Sequence, residues 1–142
     1  MIINMWSGPR NLSTALMRSF ENREDTEVWD EPLYAYYLKN TKLRHPMNKE
    51  IIKNYETNIN TLISKMTSKN LDKKIFYLKH MTHHMIKRTP INWIKKNKNC
   101  LLIRKPEKVI SSYLKKNILN RSEDLGFPNQ IKIYKFLKKN KL

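Results

Sequence analysis

The chain has 142 residues, with 29 lysines and arginines against 12 aspartates and glutamates, for a formal charge of +17. That length suits one domain (1–142) around one core. No apolar run is long enough for a membrane-spanning helix, and the N-terminus lacks the basic n-region and cleavage site of a secretory signal, so the expected location is the cytoplasm. A disulfide framework is excluded because Cys100 is the single cysteine; set in the apolar run "CLLI", it is expected to be a buried core thiol.

In chain order, "MIINMW" reads as a short apolar strand running straight into "SGPRNLST", after which Leu12, Leu16 and Phe20 share one helical face. "TEVWDEP" is a second strand stopped by Pro32, and "LYAYYLKN" begins a helix. From Asn48 to about Lys69, apolar residues keep a helical period, which predicts one long helix. "KKIFYLKHM" and "NCLLIRKP" are the third and fourth strands; Pro106 suits the first position of the next helix, and "PNQIKIYKFLKKNK" forms a last helix after Gly126. Apolar strands alternating with helices imply an α/β fold of three layers, α/β/α, around a mostly parallel sheet.

Ligands of such sheets sit beyond the carboxyl ends of the strands. The loops expected there, after Trp6, Trp29, Leu78 and Ile103, carry Arg10, Ser13, Thr14, Glu31, Lys79, His80, Arg104 and, further along a helix, Ser112. The stretch "SGPRNLST" looks like a phosphate cradle without the Walker lysine, since the nucleoside-triphosphatase loop reads G-x-x-x-x-G-K-[ST] and here Gly8 and Arg10 stand alone. A loop turning into a helix N-terminus favours an anion, with Arg10 adding a charge-assisted contact and Ser13 and Thr14 donating hydroxyls. The competing reading is a plain helix N-cap by serine or threonine. "LLIRKPEKVISSYLKK" sets Arg104 at a strand end and Ser112 inside the following helix, where both could meet a second anion.

"WSGPRNLSTALM" resembles the phosphosulfate-binding loop of the sulfotransferases, chiefly the bacterial-type members with a G-x-P-R-S-x-S-T pattern. "IRKPEKVISSY" resembles the segment that binds their donor's 3′-phosphate; "WDEPLYAYYL" and "YLKHMTHHM" look like the family's acidic motif and its lysine- and histidine-bearing third-strand end. The resemblance implies a P-loop fold and 3′-phosphoadenosine-5′-phosphosulfate as donor, its sulfuryl group passing to an acceptor hydroxyl or amine. It implies that Gly8, Pro9, Arg10, Asn11, Leu12, Ser13 and Thr14 hold the 5′-phosphosulfate and Arg104 and Ser112 the 3′-phosphate, with Arg10 also catalytic and no metal. Asn11 and Leu12 stand where relatives often have Ser and Gly, which reduces the loop's backbone freedom. Glu31 is the expected general base, with Asp30 pointing to the opposite side if the strand continues; His80 and His83 are the rival bases. Relatives continue with another strand and a basic loop that closes over the nucleotide, so the chain reads as C-terminally short.

His80, His83 and His84 have the spacing of a zinc site, but their segment offers no Cys, Asp or Glu to complete one. The lysine excess, scattered as doublets such as Lys73-Lys74 and Lys138-Lys139 in a chain rich in Asn, Ile and Tyr, reads as solvated surface ahead of a nucleic-acid patch. The expected partners are thus a nucleotide donor and a small acceptor, with neither nucleic acid nor membrane. The alternatives are a basic nucleic-acid-binding module, a magnesium- and ATP-dependent P-loop phosphotransferase, and an inactive truncated homologue.

Overall fold

The computed structural model describes residues 1–41, 43, 45–68, 72–119 and 121–142. Four strands, β1 (Ile2–Ser7), β2 (Thr26–Asp30), β3 (Ile75–Met81) and β4 (Lys98–Leu102), form one sheet in the order β2-β3-β1-β4. Every pairing is parallel, with Trp6 opposite His80 and Leu101, and Trp29 opposite Leu78. The helices are α1 (Ser13–Glu21), α2 (Tyr34–Thr41), α3 (Asn48–Asn54), α4 (Ile59–Thr67), α5 (Pro106–Leu114) and α6 (Phe127–Lys139). Pro106 opens α5 as the sequence suggests. Among the described residues no helix is long and apolar enough to cross a membrane.

Alternation along β3 divides its side chains between two cores. Phe76 and Leu78 join Trp6, Tyr36, Leu62, Met66, Met85, Trp93 and Ile133 in the larger one, while Tyr77 packs with Met5 and Met17 under α1. The crossovers leave the adjacent strands β1 and β3 in opposite directions, so the crevice at their carboxyl ends is the fold's switch point.

Three expectations are corrected. The single helix from Asn48 is two, α3 and α4, broken at Tyr55–Asn58; the Lys69 end lies outside the described residues. At the break the Glu56 carboxylate accepts from the N–H groups of Thr57 and Asn58 (2.8 and 2.7 Å), and Asn58 caps α4 by accepting from Asn60 and Thr61. These local bonds outcompete the helical ladder although the apolar period runs on. Cys100 is exposed, because β4 is an edge strand and the face that carries Cys100 is left uncovered there. Lys79 and His80 lie within β3 rather than in the loop after it.

Candidate active site

The loop after β1 turns on Gly8, which is buried where a Cβ would meet the Leu125 carbonyl oxygen at 2.4 Å. The glycine is therefore needed for close packing against the turn that ends at Gly126, itself at φ 72° with its carbonyl accepting from Thr82 Oγ1. Beyond half-buried Pro9, Arg10 and Leu12 both take a left-handed conformation, φ 62°, on either side of Asn11. Leu12 occupies the N-cap position of α1, and no side chain caps the helix. Ser13 and Thr14 are inside the first turn, so the plain N-cap reading fails and the first N–H groups of α1 are left for another acceptor. Asn11 is only 4 % exposed and neither polar atom of its amide has a partner.

The two arginine-bearing stretches meet. Arg10 Nε donates to Ser112 Oγ at 3.0 Å, and Arg104 Nη1 donates to the Arg10 carbonyl oxygen at 2.9 Å, across 102 and 94 residues of sequence. An uncapped helix start flanked by two guanidiniums, a serine hydroxyl and an unpaired buried amide fits an anion with several oxygens.

Beside this lies an acid–lysine cluster. Lys79, 3 % exposed, reaches out of β3 so that its Nζ stands 2.7 Å from Asp30 Oδ1, 2.7 Å from Glu31 Oε1 and 3.4 Å from Thr14 Oγ1. Burial lowers its affinity for a proton, but Glu31 and Asp30 outweigh that and hold the ammonium above its ordinary range. Asp30 therefore does not face away from Glu31. Strand alternation ends at Glu31, whose φ of 47° turns its carboxylate back onto the same lysine, while its N–H still donates to the Lys79 carbonyl oxygen. Left-handed backbone is costly in a residue that precedes proline, on the order of 1–3 kcal/mol. Of the five described non-glycine residues with positive φ, Arg10, Leu12 and Glu31 lie at this edge and only Met47 and Lys141 elsewhere, so strain concentrates where the polar groups converge.

The histidines sit differently from the expectation. His80 alternates to the face opposite Lys79, is 1 % exposed, stacks on Trp6 at 4.2 Å and meets Asn4 Oδ1 through Nε2. Burial lowers it to about 3, and its ring lies between those of Trp6 and Trp93, on the side of the strand away from Lys79 and the carboxylates. His83 is half-buried against Tyr37 and is pushed down to about 4, by burial first and then by His45. His84, which the sequence does not single out as a base, stands closest of the three to the carboxylates, its Nε2 4.0 Å from Glu31 Oε2, between the rings of Tyr34 and Tyr37. Burial holds it neutral, so the contact is not an ion pair. Among the described residues no three metal-ligating side chains gather.

His84 is the site residue that sequence reasoning misses; Lys79 is expected at this edge without a partner, and Asp30 only as a weaker alternative to Glu31. The signal for Lys79 was present: a lone lysine inside an otherwise apolar strand must find a carboxylate. The conformation of Glu31, which recruits Asp30, leaves no such trace.

A family model described as "Sulfotransferase domain" matches residues 1–139. Two curated Arabidopsis thaliana proteins, branched-chain-amino-acid aminotransferase-like proteins 1 and 2, are 36 % and 34 % identical over 133 residues. The match covers 94 % of this chain but only 24 % of each relative, so the chain spans about a quarter of their length. No solved structure matches significantly.

Proposed function

The chain belongs to the sulfotransferase domain family, and from that premise we propose that it binds 3′-phosphoadenosine-5′-phosphosulfate and passes the sulfuryl group to an acceptor hydroxyl or amine. The observation that carries this reading is the contact chain Glu31–Lys79–Thr14, which ties a carboxylate at the end of β2 to the anion-binding start of α1 through one buried ammonium.

Each residue then has a task that follows from its surroundings. The N–H groups opening α1, together with Arg10, Ser13 and Thr14, bind the phosphosulfate end, while Arg104 and Ser112 take the 3′-phosphate. The donor supplies the electrophilic sulfur. Charge grows on the phosphate oxygen it leaves, and fixed donors already aimed at that place stabilise it without reorganising. Arg10 and Lys79 are the cations nearest to that task. Glu31 removes the acceptor proton: one of its oxygens is held by Lys79, and the other, Oε2, stands 4.0 Å from neutral His84. Lys79 orients the carboxylate, and buried His84 stays uncharged beside it.

The test is calorimetric titration with adenosine 3′,5′-bisphosphate, without added metal, on the chain and on Arg10→Ala and Arg104→Ala. Each lost charge-assisted contact should weaken binding about ten- to hundredfold, equivalent to about 1.5–3 kcal/mol. Unchanged affinity in both folded variants defeats the assignment. Binding only of magnesium–ATP favours a phosphotransferase instead.

A further inference from the structure

A second concavity opens on the other side of Glu31. It is a cleft of about 570 Å³ between the end of β2, the start of α2 and the break that separates α3 from α4. Its walls are Trp29, Pro32, Tyr34, Ala35, Ile51, Tyr55 and Leu62, and its polar groups include the carboxylates of Asp30, Glu31 and Glu56. In a chain of net charge +17 with 29 basic residues, no lysine or arginine among the described residues lines this cleft. Its volume suits a small molecule rather than a polymer segment.

The charge balance inside is negative. Asp30 and Glu31 share the one positive charge of Lys79, so that group of three carries a net negative charge, and Glu56 adds another. Two backbone N–H groups hold Glu56 ionised, helped from outside the cleft by Lys65 and Lys39. Lys39 is itself engaged with Thr57 Oγ1 and does not enter the cleft. The aromatic contribution is equally specific. Tyr55 is 66 % exposed at the rim, and Trp29 and Tyr34 provide further rings. Carboxylates combined with ring faces favour an ammonium, by ion pairing and by attraction to the negative π-face. The same wall repels a carboxylate or phosphate. The helix break forms this wall: a continuous helix would leave Tyr55 and Glu56 on a regular surface instead of at the mouth of a cleft.

We propose that this cleft is the acceptor subsite and that it selects acceptors carrying a cationic amine on a compact apolar or aromatic body. The inference rests on the sulfotransferase reading, because Glu31 is both the base there and the shared wall here. Anionic acceptors are rejected by the three carboxylates, and neutral ones are held only by the apolar walls.

The proposal is tested by binding in the absence of any donor, so that it stands or falls apart from the nucleotide site. The full chain is titrated at low ionic strength and pH 7 with 2-phenylethylamine, 2-phenylethanol and 3-phenylpropanoate, followed by ligand-observed NMR. The amine should bind about tenfold or more tightly than the alcohol, and the carboxylate least, as one charge-assisted contact warrants. Glu56→Gln should weaken the amine severalfold and leave the alcohol unchanged; Tyr55→Ala should weaken both. Equal affinity for all three probes, a preference for the carboxylate, or insensitivity of amine binding to Glu56→Gln overturns the proposal. If no probe binds while adenosine 3′,5′-bisphosphate does, the cleft assignment fails and the donor assignment stands; amine binding without nucleotide binding supports the cleft alone and fails the donor reading.

Discussion

Replacing Lys79 by methionine keeps an unbranched side chain, one heavy atom shorter, and removes its charge from the centre of the acid cluster. In the native protein the ammonium is nearly inaccessible and has carboxylate oxygens on two sides, each at 2.7 Å. At an effective dielectric constant of about 20, each contact is worth roughly 6 kcal/mol of gross attraction, most of which offsets the several kcal/mol needed to dehydrate the lysine. Breaking a fully buried pair costs about 3–5 kcal/mol. Here Asp30 and Glu31 remain 47 % and 28 % exposed and can rehydrate once released, which reduces the expected loss to about 2–3 kcal/mol. Urea denaturation at pH 7 measures it directly. The sign with pH follows from the raised ammonium: the contribution of Lys79 is complete below its unfolded value of 10.5 and disappears as pH rises through the higher folded value. Methionine should therefore cost the same at pH 7 and pH 9. The triple variant with Asp30→Asn and Glu31→Gln should recover part of the loss, because no stranded carboxylates remain. A loss below about 0.5 kcal/mol for Lys79→Met would put the cluster in the class of ordinary surface pairs and refute the argument.

The other predictions concern the base, the buried rings and the strained loop. Glu31→Gln should leave nucleotide affinity nearly unchanged and lower turnover of an identified acceptor by about 10²–10⁴; near wild-type turnover would remove Glu31 from the role of base. His80, His83 and His84 all have folded values below the unfolded 6.5, His80 at about 3 and His83 at about 4, because burial disfavours the charged ring. Their contribution is therefore complete above pH 6.5 and is lost progressively as pH falls below it, so stability should drop between pH 7 and pH 5. Denaturation curves at pH 7, 6 and 5 that coincide would contradict the burial of these rings. Leu12→Gly relieves a left-handed residue at φ 62° whose side chain is 67 % exposed. The melting temperature should stay level or rise by a few degrees, for a gain of up to about 1 kcal/mol after the added chain entropy; a clear drop would mean the leucine side chain packs usefully.

Local chemistry in the sequence was enough for the parallel α/β plan, the four strands, Pro106 at the start of α5 and the turn of "SGPRNLST" into the start of α1. Each depends on short-range patterns: apolar runs bounded by turns, proline's fixed φ, and a loop feeding a helix. The helix break at Tyr55–Asn58 was also written locally, in the Glu56 and Asn58 side chains, but the apolar period masked it. Only the tertiary structure decided which face of β3 each residue joined. Strand alternation sends Lys79 to the carboxylates and His80 into the core, and which face is open depends on which helices cover it. Only the tertiary structure, likewise, brought Arg10, Ser112 and Arg104 together, and turned Glu31 onto the lysine that already held Asp30. A left-handed residue before proline is disfavoured locally, so no local rule predicts it; it persists because the ion pairs on Lys79 and the ladder bond to its carbonyl oxygen outweigh the backbone strain.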